Sequence, residues 1–309
     1  MRRKLTLILL FFICFTLKPI EVGHTASIWP LTLDVTASPG TAVTGVINLT
    51  NTGQAENTYS ARVRDFSASA DESGIPDFFQ EDSISGRSIK PWISFDSERL
   101  SLASGESREV HFTIQVPTDA TPGGYYSAVL FSESASGTDV RVQTHIGSLI
   151  FLTVLGEAKT TGELLSFTAP QIATHLPHVF TNRIRNSGDT TIVPTGTITI
   201  SDVFGIERGH LIVNPDGANV LQDSTRSLTT TWQHQELPEG TSEFVREWKN
   251  FAIGYYRATI ALQLESDGQT VTSTTGFWII PWQLIGLSLI LIFIITFLAK
   301  KTSQRKLMY

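Results

Sequence analysis

Two histidines three positions apart, His175 and His178, are the first residues whose type and spacing suggest chemistry. A pair of imidazoles on one face of a helix binds zinc and similar metals well. Here Pro177 lies between them and prevents the helix that would align both rings. We therefore expect both to be solvated loop histidines, and we predict no metal site, no catalytic residue and no cofactor.

The segment DESGIPDFFQED, residues 71–82, gathers five carboxylates without a basic neighbour and is the second candidate. Carboxylates are good calcium ligands, but the segment lacks the alternating ligand order of an EF-hand loop. Two interpretations stay open, a calcium loop or an acidic loop between strands, and we favour the second. The chain also lacks a Gly-x-Ser-x-Gly elbow, a phosphate loop and a dinucleotide fingerprint, so we do not expect an enzyme.

The segments that would position such residues have the pattern of β-strands. In SREVHFTIQVP, residues 107–117, the apolar Val110, Phe112, Ile114 and Val116 alternate with polar residues. This period of two is typical of a strand with one buried face. Turn residues separate similar runs, and no amphipathic helical stretch of useful length precedes the apolar C-terminal run. The chain before that run is therefore expected to be all-β.

A short motif occurs twice, as GGYYSAVLF at 123–131 and as IGYYRATIAL at 253–262. In a β-sandwich, a tyrosine at the start of a late strand can close a corner through a hydrogen bond from its hydroxyl to nearby backbone. A glycine before the tyrosine lets the chain turn with positive φ. We predict this corner role for two glycine–tyrosine pairs, Gly124 with Tyr126 and Gly254 with Tyr256.

The two copies lie 130 residues apart, and each follows an Asn-x-Gly turn, at 51–53 and at 186–188. Two tandem immunoglobulin-like β-sandwiches account for both repeats, while a coincidental echo between two strands is the alternative. We place the first domain at 27–158 and the second at 159–276.

The N-terminal end has the form of a secretory signal peptide, which we assign to residues 1–26. Three basic residues at positions 2–4 precede a 13-residue apolar run at 5–17. The single cysteine, Cys14, lies in this run, so the mature chain has no thiol and disulfides are excluded.

Near the C-terminus, residues 278–298 carry no charge, and a helix of that length crosses the hydrocarbon core of a membrane. We assign a transmembrane helix to residues 277–299 and a basic cytoplasmic tail to residues 300–309, which places everything before the helix outside. The residues predicted to anchor this helix at the two interfaces are Trp278 and Trp282 outside and Lys300 and Lys301 inside.

Charge excludes one class of partner. Between residues 27 and 299 the chain carries 15 basic and 28 acidic residues, a net charge of −13. Proteins that bind nucleic acids need basic surfaces that neutralise phosphate, so no nucleic-acid partner is expected. Electrostatic attachment to anionic lipid is disfavoured for the same reason.

Three stretches of the first domain resemble a known family. They are LDVTASPGTAVTGVINLTNTG (33–53), WISFDSERLSLASGESREVHFTIQVPTDATPGGYYSAVLF (92–131) and IGSLIFLTVLGE (146–157). Together they are similar to the N-terminal domain of the WxL-interacting protein family, and their most specific element is the cluster around Pro122 and Tyr126. The resemblance implies an exported protein with a peptidoglycan-binding-type β-sandwich, a second sandwich that binds partner proteins, and one C-terminal membrane helix.

The first copy of the repeated strand is apolar on both faces, and so is the closing strand of the same domain. These late strands are neighbours in an immunoglobulin-like sheet, so we predict an apolar patch on its outer face. The patch would consist of Val129, Phe131, Leu149 and Phe151. Soluble domains rarely leave such a patch bare. We expect either the second domain or a partner protein to cover it, and favour the second domain because a short linker holds it nearby.

Two classes of function remain. The first is an exported, membrane-anchored cell-surface binding or scaffold protein that holds cell-wall polymer or another surface protein. The second is a structural or chaperone-like assembly component of an envelope complex, with no ligand of its own. Retention of wall polymer by the purified ectodomain alone would favour the first.

Overall fold

The computed structural model describes residues 26–80, 83–133, 145–264 and 269–306, with side chains to residue 301. The predicted signal peptide lies outside the described residues except for Ala26, which begins the first strand. The last three residues of the predicted tail also lie outside them.

The first domain consists of two packed sheets. One has the strand order β1-β3-β9-β7 and the other the order β2-β11-β10-β4-β8. The hairpin β5-β6 forms a separate two-stranded sheet, and a short 3-10 helix (Lys90–Trp92) precedes β7. The strands are β1 (Ala26–Trp29), β2 (Thr32–Ala37), β3 (Ala42–Asn51), β4 (Asn57–Arg64), β5 (Phe66–Ala68), β6 (Pro76–Phe78), β7 (Ile93–Phe95), β8 (Arg99–Leu102), β9 (Ser107–Gln115), β10 (Gly123–Glu133) and β11 (His145–Val154).

The second domain repeats this arrangement, with sheets of order β12-β14-β17 and β13-β19-β18-β15-β16. In both domains the first two strands lie in different sheets. The second of them pairs in parallel with the last strand, β2 with β11 and β13 with β19. The elements are β12 (Gly162–Thr168), β13 (Ile172–Ala173), β14 (His178–Asn186), β15 (Thr195–Asp202), β16 (Glu207–Val213), β17 (Ser224–Trp232), the helix α1 (Glu243–Lys249), β18 (Gly254–Gln263), β19 (Thr270–Ile279) and the C-terminal helix α2 (Trp282–Lys306).

Each domain has its own hydrophobic core, because one face of each strand alternates inward. In β9 the side chains of Val110, Phe112 and Ile114 are buried, as the period of two predicts. The chain is thus all-β with two tandem immunoglobulin-like sandwiches and one C-terminal apolar helix, and the predicted fold class is confirmed.

The Asn-x-Gly turns form the same hydrogen bonds in both domains. The side-chain amide of Asn51 donates to the carbonyls of Ala55 and Leu102, at 2.7 and 2.9 Å. Asn186 donates in the same way to Thr190 and Val220, also at 2.7 and 2.9 Å. Both asparagines are fully buried, and each side-chain oxygen accepts the N–H of the glycine two residues later. This shared geometry shows that the turns are equivalent parts of two similar domains.

The repeated tyrosine motif is equivalent in structure only after a shift of one residue. Gly123 and Gly254 have φ of 135° and 114° and lie opposite the last residues of β11 and β19. The hydroxyl of Tyr125 donates to the Thr121 carbonyl at 3.0 Å, and that of Tyr256 donates to the Ile253 carbonyl at 3.2 Å.

The predicted corner role is therefore wrong for Gly124 and Tyr126, and the residues that fill it are Gly123 and Tyr125. The second pair, Gly254 and Tyr256, lies where it was predicted. An alignment that matches the two tyrosine pairs residue by residue hides the spacing that the domains share. That spacing is Gly-x-Tyr, at 123–125 and at 254–256.

The C-terminal helix begins later than predicted. Trp278 lies in β19, between the buried Phe277 and Ile279, and is not one helical turn from Trp282. Hydropathy does not distinguish an apolar strand from the helix that follows it, whereas Pro281 restricts its preceding residue to an extended conformation and marks the boundary. Among the described residues one helix, 282–301, is long and apolar enough to cross a membrane, with a mean hydropathy of 2.4.

Candidate functional site

The outer face of the first domain's larger sheet carries an apolar cluster. Tyr126, Ala128 and Leu130 of β10 alternate outward, and Phe151 of β11 lies directly opposite Tyr126. Leu149 packs against the same cluster and lies opposite Ala128.

The predicted patch is therefore wrong in two of its four members. Val129 and Phe131 lie in the core of the first domain, at 0% and 1% exposure, while Leu149 and Phe151 are on the outer face. Because β10 is apolar on both faces, alternation alone does not reveal which face is inside. The pairing of Ala128 with Leu149 puts these two side chains on one face of the sheet. The other face, which carries Val129, is the inner one because it packs against the opposite sheet.

Two segments of the described chain cover this outer face. Phe66, at the base of the β5-β6 hairpin, places its ring centroid 5.1 Å from that of Tyr126 and 6.1 Å from that of Phe151. Leu221, from the loop before β17 of the second domain, is buried in the same cluster. An apolar face of the first domain is thus removed from water partly by the second domain. Burial raises the pKa of the Tyr126 hydroxyl above its usual range.

Backbone groups join the domains beside this cluster. The N–H of Gly124 donates to the carbonyl of Asp189 in the second domain at 2.8 Å. A Cβ at Gly123 would lie 2.5 Å from the same carbonyl oxygen, so only glycine permits this approach. The Arg87 guanidinium lies 3.8 Å from the Asp189 carboxylate.

The β5-β6 hairpin reaches across to the second domain. The Glu72 carboxylate accepts hydrogen bonds from the Arg183 guanidinium at 2.6 Å and from the Ser227 hydroxyl at 3.1 Å. The Glu72 carbonyl also accepts the Ser227 N–H at 2.9 Å. The bond from Arg183 lowers the pKa of Glu72. Part of the predicted acidic loop is therefore an interdomain contact.

Of the other acids of that loop, the structure describes Asp71 and Asp77. Asp71 accepts the N–H of Ser73 at 2.9 Å and a hydrogen bond from the Ser69 hydroxyl, and these bonds lower its pKa to about 2. Asp77 lies in β6, while residues 81 and 82 lie outside the described residues. Within the described ranges, no group of three or more metal-ligating side chains is placed to hold an ion.

A buried carboxylate supports the hairpin from within the first domain. Asp65 is 1% exposed and lies between β4 and β5. It accepts the hydroxyl of Ser88 at 2.8 Å, the hydroxyl of Ser127 and the N–H of Ser85 at 2.8 Å. A buried carboxylate is tolerated when its oxygens are hydrogen-bonded in this way. Its role here is to fix the chain where the hairpin begins.

One of the two histidines does not match its predicted environment. His178 lies in β14 at 2% exposure, with its ring stacked on Phe277 at a centroid distance of 4.0 Å. Burial lowers the pKa of His178 to about 4, so it is neutral at physiological pH. His175 lies close to Glu243, with 2.7 Å between ring nitrogen and carboxylate oxygen. The prediction of two solvated loop histidines is therefore wrong for His178, which is a core residue.

The residues that sequence reasoning missed are those contributed by distant segments, Phe66, Leu221 and the Glu72–Arg183 pair. The one sequence signal for them was that β10 is apolar on both faces. This pattern indicates that another segment must pack on the outer face, but it does not show which segment.

The sequence matches no protein-family model and no curated protein. Similar solved structures include the class 5 fimbriae chaperone CfaA, 11% identical, covering 82% of this chain and 98% of that one with a TM-score of 0.38. The CupB2 chaperone of Pseudomonas aeruginosa is 9% identical, covers 81% and 100%, and scores 0.37. A PapD-like domain of human CEP192 is 14% identical, covers 46% and 94%, and scores 0.31. At these identities and scores the similarity carries no argument about function.

Proposed function

We propose that this chain is a membrane-anchored, non-enzymatic assembly component. Its two sandwiches, joined as one unit, would hold another exported protein close to the outer face of a membrane. The observation that carries the proposal is the interdomain interface, in which a buried apolar cluster and hydrogen bonds from the hairpin hold the domains together. A fixed relation between two domains suits a protein that presents a partner at a set distance and orientation.

The carboxylates of the interface and of the hairpin base support a structural role. Glu72 is bonded to Arg183, and Asp65 is bonded to serines and backbone. Groups with satisfied partners stabilise an arrangement, whereas a catalytic acid or base needs an accessible proton-transfer position. The resemblance to the WxL-interacting proteins and the apolar α2 favour export, with α2 as the anchor and the basic tail in the cytoplasm.

The proposal is tested by photo-crosslinking in cells that make the full chain. A photoreactive amino acid is placed at Trp29 or Leu31 of the first domain, which are 71% and 63% exposed. We expect crosslinks to a second exported protein. Crosslinks confined to wall polymer would instead support a protein that holds the cell wall, and no crosslinks to either at any exposed position would contradict both.

The role of the interface is tested with a substitution inside the buried cluster, at a side chain that is only 7% exposed. Leu221→Asp places a charge in the buried cluster and should separate the domains without contacting the partner. The matched control is Ile212→Asp, at a side chain that is already 65% exposed. If the joined domains hold the partner, the yield of crosslinked protein falls several-fold for Leu221→Asp and stays unchanged for Ile212→Asp.

A further inference from the structure

Strand pairing brings three segments of the second domain to one end. Asp202, the last residue of β15, lies opposite Tyr256, and Gly254 lies opposite Ile279, the last residue of β19. The turn after β15, the chain before β18 and the start of α2 therefore meet at the end from which α2 leaves.

Helix α1 belongs to the same end because it holds the first turn of α2. The Glu247 carboxylate accepts the backbone N–H of Leu284 at 3.0 Å and that of Gln283 at 3.4 Å. These N–H groups have no partner within the helix, and a carboxylate near a helix N-terminus is favourable. Glu247 is only 1% exposed, so α1 is packed closely against the start of α2.

Large apolar side chains project into solvent around this end. Phe204 is 83% exposed, and Trp248 is 69% exposed. We call the whole set the apolar rim. It consists of Val203, Phe204, Ile206, Phe244, Trp248, Phe251, Ile253, Trp278, Ile280 and Trp282. Such a concentration of exposed apolar side chains on one end of a domain marks a surface that contacts something other than water.

We propose that the apolar rim is inserted in the headgroup region of the bilayer that α2 spans, so that the second domain rests directly on the membrane. This inference depends on the proposed membrane anchor. The argument for lipid is continuity, since the rim surrounds the start of a helix that is apolar and, beyond its first turn, exposed. Tryptophan prefers the membrane interface, and three rim residues are tryptophans.

The driving force is apolar and not electrostatic. The chain between residues 27 and 299 has 15 basic and 28 acidic residues, so attraction to anionic lipid does not favour binding. Insertion should therefore occur in neutral phosphatidylcholine. Contact at several points around the helix would also limit tilting of the domain and set the height of the first domain above the membrane.

The experiment uses the full chain with Cys14→Ser, which removes the single cysteine. An environment-sensitive fluorophore is attached to a new cysteine in Phe204→Cys or in Trp248→Cys, and the protein is reconstituted in phosphatidylcholine vesicles. Nitroxides placed at a shallow acyl position should quench both fluorophores several-fold more than a water-soluble nitroxide does. The matched control is Ile212→Cys, at a side chain that is 65% exposed and lies near the far end of β16, six residues or about 20 Å from Ile206. We expect the reverse preference there.

A fourth label distinguishes failure of the proposed membrane anchor from failure of the proposal about the apolar rim. Phe293→Cys lies in the middle of α2 and reports the anchor itself. If it is not quenched by nitroxides deep in the bilayer, the anchor fails, and with it the membrane location of the rim. If it is quenched while the labels at 204 and 248 behave like the label at 212, the anchor stands and the rim proposal is overturned. The rim would then be the contact surface of a partner protein.

Discussion

Lowering the pH from 7.5 to 5 should destabilise the second domain through His178. The folded state holds this imidazole neutral, with its ring stacked on Phe277 and a buried Nε2 that has no hydrogen-bond partner among the described residues. Its pKa is about 4 when folded and returns to an ordinary value near 6.5 when the chain unfolds. Between these values the unfolded chain binds a proton that the folded chain does not.

The contribution of the neutral His178 to the free energy of unfolding is therefore complete above pH 6.5 and is lost as the pH falls toward 4. Each unit of pKa difference corresponds to about 1.4 kcal/mol, so the total loss is about 3 kcal/mol. At pH 5, integration over this interval gives a loss of about 2 kcal/mol. That is a large fraction of the free energy of unfolding of a typical domain.

Amide hydrogen exchange measures this loss strand by strand. After correction for intrinsic exchange rates, the opening free energy of β18 should fall by about 2 kcal/mol between pH 7.5 and 5. His178→Phe keeps an aromatic ring in the stack and removes the titration, so the pH dependence of β18 should largely disappear. The matched control is His210→Phe, at a half-exposed histidine of β16, which should keep it.

An equal pH dependence in the parent chain and in His178→Phe would refute the argument. It would mean that another group controls the acid sensitivity of the domain. The His175–Glu243 pair is then the next to substitute, because His175 lies three residues before His178 in the sequence.

Five other substitutions test the fold. Tyr125→Phe and Tyr256→Phe should each lower the free energy of unfolding by about 0.5 to 1.5 kcal/mol, the net value of one hydrogen bond. Tyr126→Phe should lower it less, and equal losses in denaturant titrations would argue against the corner assigned to Tyr125. Asn186→Ala removes three hydrogen bonds from a buried turn and should cost about 2 to 4 kcal/mol in the same titrations, where a loss below about 1 kcal/mol would contradict the turn geometry. Glu247→Ala should reduce the exchange protection of the first turn of α2 in vesicles, while unchanged protection there would mean that the carboxylate does not cap the helix.

The sequence by itself determined the local features of this protein. The alternation in residues 107–117 predicted a strand with one buried face, because a strand projects successive side chains to opposite sides. The turns at 51–53 and 186–188 indicated two similar domains, because an Asn-x-Gly turn is specified by its own few residues. The apolar run near the C-terminus predicted a helix long enough to span a membrane. Each of these properties depends on neighbours in the chain.

Only the tertiary structure decided which side of an apolar segment faces a core and what covers the other side. Val129 and Leu149 are both apolar, yet packing against the opposite sheet buries the first in the domain core and leaves the second on the outer face. The burial of His178 and the covering of β10 by Leu221 depend on residues tens of positions away. Hydrophobic burial is non-directional, so a sequence shows that a side chain must leave water but not which distant surface will exclude the water.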